Sequence, residues 1–239
     1  RAGYWDDVLA IRGLLAHEHA HPMVESGAVL ASRRLTVELT WAAPFAGPGA
    51  EPEVPHGQWR ERVDRFLAEL VEKLCVSAPR EIVANELAIR SGFHAALLHL
   101  DRRNVANAAR SVEGRQTLVG RLADAVRGGD LSPDAADLLT LIGDMRGYLD
   151  MALEVAAFLR AGREVAALEL EAGLRASVFP ALEPETLTAY EALRDGYVAL
   201  AVDATPEQLV EWSAGLVEVL ATALRSKALQ LDCRVAAAA

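Results

Sequence analysis

The chain has 239 residues, 52% of them hydrophobic, and a mean hydropathy of +0.15, which excludes a disordered polymer and allows one large or two small domains. Its 24 Lys and Arg against 34 Asp and Glu give a formal charge of −10, so it lacks the basic footprint that a nucleic-acid backbone attracts, and no nucleic-acid partner is expected. Aromatic residues make up only 5%, so Ala, Leu and Val fill the core; the expected fold class is all-α, an antiparallel helical bundle with a small N-terminal helix plus a β-hairpin element.

Helical spacing of Trp5, Val8, Leu9, Ile11, Leu14 and Leu15 after the acidic Asp6 and Asp7 predicts a first helix, which Pro22 ends near His21. Leu35, Val37, Leu39 and Trp41 then alternate with Thr36, Glu38 and Thr40, the one strand pattern in the chain. A strand needs a ladder partner, so Ala28 to Ala31 folding back as a hairpin, or a second subunit in a homodimer, is expected to supply it. Residues 44–57, with four prolines and three glycines, read as a linker between an N-terminal piece (residues 1–43) and a helical bundle (residues 58–235).

Past the linker, Trp59, Val63, Phe66, Leu67, Leu70, Val71 and Leu74 form an apolar helical stripe. Pro79 opens a helix to about Leu100, and a further helix from Val105 to Val126 stops at Gly128 and Gly129. Ser132 and Pro133 start the next, which runs by its pattern to Leu159. Residues 164–177 form a shorter helix, and Pro184 starts another with Leu187, Tyr190, Leu193 and Tyr197 on its apolar face. Thr205-Pro206-Glu207-Gln208 is a capping box, and the helix it opens is expected to reach about Leu231.

Cys75 and Cys233 are too few for a disulfide framework and have no C-x-x-C spacing, which suits a reducing, cytoplasmic location. Charge-free apolar stretches such as residues 26–32 fall short of the roughly 18 residues of a bilayer span, so no transmembrane segment is expected. The sequence begins at Arg1 rather than methionine, so no targeting segment is read from it.

His17-Glu18-His19-Ala20-His21 satisfies H-E-x-x-H and resembles the motif of zinc metallopeptidases. On a helix His17 and His21 stand one turn apart on one face; the resemblance implies that both ligate a divalent metal while Glu18 serves as the catalytic base. Pro22 follows at once, no Gly-x-x-His comes after it, and the place of a third Glu ligand about twenty residues on falls in the strand around Glu38.

Residues 93–159 are similar to the repeat of the PhoU-like family of helical phosphate-transport regulators. Leu131-Ser132-Pro133-Asp134 matches the opening of a family helix, and Asp144-Met145-Arg146-Gly147-Tyr148-Leu149-Asp150 keeps both aspartates that flank the family's metal motif. The resemblance implies three-helix repeats, a protein partner such as a membrane transporter, and in some members carboxylates on metal clusters. Arg146 stands where the inner carboxylate belongs, and Asp144 and Asp150, six apart, point to opposing sides of a helix; Asp150 with Glu154, four apart, is the better cation pair. Three functions follow as expectations: a non-catalytic regulatory or accessory protein acting through protein contacts; a zinc-dependent hydrolase using His17, Glu18 and His21; and a structural oligomerisation domain.

Overall fold

In the computed structural model, residues 6–24, 27–43 and 56–237 are described, with side chains from residue 60 onward in the last stretch. Trp5, the side chain of Trp59 and residues 44–55 of the predicted linker lie outside these. The elements in chain order are α1 (Val8–Ala20), α2 (Gly27–Ser32), β1 (Leu35–Ala42), α3 (His56–Val71), α4 (Ala78–Ala88), α5 (His94–Gly128), α6 (Pro133–Tyr148), α7 (Met151–Arg160), α8 (Glu164–Ser177), α9 (Pro184–Val198), α10 (Pro206–Arg225) and β2 (Gln230–Ala237). Among the described residues the fold is an all-α bundle with one two-stranded antiparallel ribbon. Among the described residues no helix is long and apolar enough to cross a membrane.

Asp7 caps α1 by accepting the Ala10 N–H at 3.0 Å, and Pro22 sits in the single 3-10 turn that ends it. The face that α1 buries is not its leucine face. Ala10, Gly13 and Ala20 are buried, whereas Val8, Leu9, Leu14 and Leu15 are exposed. A β-carbon on Gly13 would stand 2.5 Å from the Ala96 carbonyl oxygen, so α1 and α5 meet backbone to backbone, where only small residues fit.

The ribbon corrects the predicted pairing. Ala28 to Ala31 belong to α2, and β1 pairs instead with β2, Leu39 opposite Cys233 and Leu35 opposite Ala237. The last helix accordingly stops at Arg225 rather than near Leu231. Ala228 takes the left-handed conformation (φ 58°), and the Leu229 N–H reaches back to the Leu224 carbonyl at 3.2 Å, which closes the helix and turns the chain into β2. Two other breaks move as well. The chain bends at Gly92 (φ 96°) and then runs unbroken through residues 101–104 as α5, and the predicted helix 133–159 divides at Leu149 and Asp150.

Helix α7 is the bundle's centre, buried from Met151 through Phe158 except at the half-buried Glu154, and packed against α4, α8 and α9. One apolar core joins Ala10 and Ala20 of α1 to Leu149, Val155 and Leu224. Where α3 widens into a π turn at Glu72–Val76, the Leu74 carbonyl accepts the Tyr197 hydroxyl and the Cys75 carbonyl accepts the Ser213 hydroxyl, each at 2.8 Å. Cys75 itself is buried, and burial holds its thiol pKa well above the usual value. Arg160, half-buried with its side chain largely covered, pairs with Glu86 at 2.8 Å and donates to the carbonyls of Tyr197, Val198 and Leu200 at the end of α9. Gly13→Ala is expected to lower Tm by about 5 °C in thermal unfolding, because the α1–α5 backbones must separate.

Candidate metal centre

The small inner face of α1 carries one large exception, His17, and the turn that ends the helix adds a second, His21. They meet Glu81, which Pro79 and Arg80 place in the first turn of α4. The Nε2 atoms of His17 and His21 are 3.0 Å apart, and Glu81 Oε2 lies 3.4 Å from the first and 3.5 Å from the second. Ligands at zinc bond lengths define tetrahedron edges of about 3.3–3.4 Å, so the three donors already stand at the spacing of one coordination face. His21 is 8% exposed and Glu81 33%, which buries the imidazoles and leaves the carboxylate side open to solvent.

The neighbours settle which nitrogens are free. His17 Nδ1 is 2.7 Å from Asn85 Oδ1, one turn along α4 from Glu81; the amide oxygen accepts a hydrogen bond from Nδ1–H, which leaves Nε2 with its lone pair free for a metal. His21 is held in the opposite tautomer, since Arg80 donates to its Nδ1 at 3.2 Å and its proton then lies on Nε2, directed at His17. Metal ligation by His21 therefore requires Arg80 to turn away. Burial works against protonating His17, but Glu81 and Asn85 outweigh it and hold its pKa above the usual histidine value. Burial holds the His21 pKa down, with help from His17 and Arg80 against Glu81. Burial pushes the Glu81 carboxyl up, and the two histidines and Arg80 more than offset it, so its pKa is lowered.

Of the H-E-x-x-H residues, the structure brings together His17 and His21 and leaves Glu18 exposed, outside the donor cluster. Glu38 lies on the exposed face of β1. Glu81 was not recognised in the sequence, because it lies on another helix far from the motif's spacing; its one sequence signal is Asn85 four residues on.

Asp150 and Glu154 do not converge on one point. Asp150 binds Lys73 at 2.7 Å, while Glu154 turns inward to Asn104, whose amide donates to Glu154 at 3.1 Å and to Asp101 at 3.2 Å. Burial raises both inner acids, Asp101 to about 7 and Glu154 well above the carboxylate range, where Asp101 and Asp150 add to the effect. Asp144, the other aspartate of the expected carboxylate motif, is buried in a two-point pair with Arg115 at 2.6 and 2.8 Å and accepts the Glu183 N–H at 2.9 Å. Arg146 pairs with Glu69 at 3.1 Å over the Phe66 ring.

Comparison of the chain with protein-family models, curated proteins and solved structures returns no match.

Two outcomes are expected here. In calorimetric zinc titration, Arg80→Gln tightens binding about tenfold by freeing His21 Nδ1, and Asn85→Ala weakens it by about the same factor. Because the folded state keeps Asp101 protonated up to about pH 7 and the unfolded chain releases that proton near pH 4, stability is lost as pH rises through this window. Asp101→Asn removes the loss, so its gain in Tm widens between about pH 4 and 7 and then levels off at about 5 °C.

Proposed function

We propose that the protein holds one divalent transition-metal ion of the zinc class through His17, His21 and Glu81, and that it is a metal-responsive helical accessory protein acting through contacts with a protein partner. The observation that carries the reading is the 3.0, 3.4 and 3.5 Å triangle of donor atoms, together with the Asn85 contact that leaves one imidazole nitrogen directed into it. Two imidazoles and a carboxylate suit zinc better than a hard cation, which takes six or more oxygens.

The partner contact is supported by the other side of the same helix. Val8 and Met23, 81% and 71% exposed, wall an apolar groove of about 630 Å³ with Leu15, Leu87 and Phe93, a shape that suits an apolar helical ridge. Since α1 carries the ligands inside and a groove wall outside, a metal that ties α1 to α4 also fixes the groove. A transporter is the partner that the PhoU-like resemblance implies.

The zinc-dependent hydrolase remains a second reading, favoured by a three-ligand set that leaves a coordination position open. Zinc, when bound, supplies Lewis acidity there. The exposed Glu18 lies outside the cluster and is not held where a base is needed.

Elemental analysis and calorimetry after zinc loading decide the matter. One equivalent of zinc is expected, with affinity falling at least about tenfold in each of His17→Ala, His21→Ala and Glu81→Gln, and amide exchange in α1 slowing on loading. Binding of no zinc, or equal binding by the His17→Ala and His21→Ala variants, overturns the metal reading. Zinc-dependent ester or peptide hydrolysis lost in Glu18→Gln replaces the accessory role with the hydrolytic one.

A further inference from the structure

Strand β2 has one neighbour, β1, and among the described residues no backbone hydrogen bond leaves the outer edge of either strand. An eight-residue edge with free N–H and C=O groups is a template for a further strand. What that strand must look like is written in β2 itself. Residues 231–235 read Leu-Asp-Cys-Arg-Val, an order in which apolar and charged positions mirror one another about Cys233, with opposite charges on the two sides.

We infer that the outer edge of β2 pairs antiparallel with the same edge of a second copy of this chain, about a two-fold axis through Cys233. In that register Asp232 of each copy faces Arg234 of the other, Leu231 faces Val235, and the two Cys233 residues are opposite each other. The charges extend a row already present, since Arg234 stands opposite Glu38 within the ribbon and Asp232 opposite Thr40, all on the exposed face. Among the described residues Asp232 and Arg234 make no ion pair within the chain, so both are available to the second copy. On the inner face Leu231 and Cys233 are only half-buried beside α10, and a continued sheet covers what the two-stranded ribbon leaves open. The order of β1 does not support the same arrangement, because a two-fold axis at Glu38 sets two carboxylates face to face.

Directly opposed residues of an antiparallel pair have Cα atoms about 4.5–5.5 Å apart, within the range a disulfide spans, and the only other cysteine, Cys75, is fully buried. Cys233 therefore reports the register. The test combines light scattering of the reduced protein at tens of micromolar with oxidation by diamide, which takes up the two thiol hydrogens as the sulfur–sulfur bond forms. Expected are a dimer under reducing conditions, a covalent dimer on oxidation that Cys233→Ser abolishes without dissociating the reduced dimer, and dimerisation at least about tenfold weaker in Arg234→Asp. The double variant Asp232→Arg with Arg234→Asp reverses both charges and is expected to restore the dimer. A monomeric reduced parent, a dimer indifferent to Arg234→Asp, or a double variant no better than the single one overturns the inference.

Discussion

The contact of α1 with α5 is the constraint from which the candidate site follows. Two helix backbones that approach until a β-carbon at Gly13 would collide with the Ala96 carbonyl leave room for alanine and glycine at the centre of the contact. Larger side chains enter only where the helices begin to diverge, and there a buried side chain with polar atoms must find partners. His17 and His21 stand at that end, and Glu81, Asn85 and Arg80 of α4 meet them. The same approach turns Val8 and Leu15 outward, so the polar cluster and the apolar groove are two results of one packing decision.

Elsewhere several buried polar groups join one element of the bundle to another. Arg115 and Asp144 fasten α5 to α6 and, through the Glu183 amide, to the start of α9. Arg160 fastens α7 to α4 and to the carbonyls that end α9. Tyr197 and Ser213 satisfy two carbonyls at the wide turn after α3. Each of these groups is partnered, so each specifies an arrangement that apolar packing alone leaves open. The Asp101 and Glu154 pair differs. Two acids share one amide donor, and burial keeps them protonated at a pH where exposed carboxylates are ionised.

Local signals in the sequence were reliable where the structure is decided locally. The Thr205 capping box, the Ser132 and Pro133 start, the alternation in β1 and the stripe of Val63, Leu67, Leu70 and Leu74 are all present. What the sequence left unread is what depends on distant partners. Apolar periodicity in α1 marks an amphipathic helix but cannot say that the small face turns inward, because that depends on how closely α5 approaches. Residues 226–231 continue a helical pattern, and it is pairing with a strand 200 positions away that takes the chain out of it. The site divided along the same line. His17 and His21 were visible as neighbours on one helix turn, whereas Glu81 becomes their neighbour only through the packing of α4.

The pairing of β1 with β2 also has a temporal side. Residues 35–42 are synthesised well before residues 230–237, the strand they pair with, so the ribbon forms only once that distant strand has left the ribosome. Closing so long a loop is entropically tolerable only once the intervening helices have condensed and brought the ends near. Until then β1 lacks the partner it has in the folded chain, an interval in which a nascent chain benefits from a chaperone or from distance to its neighbours.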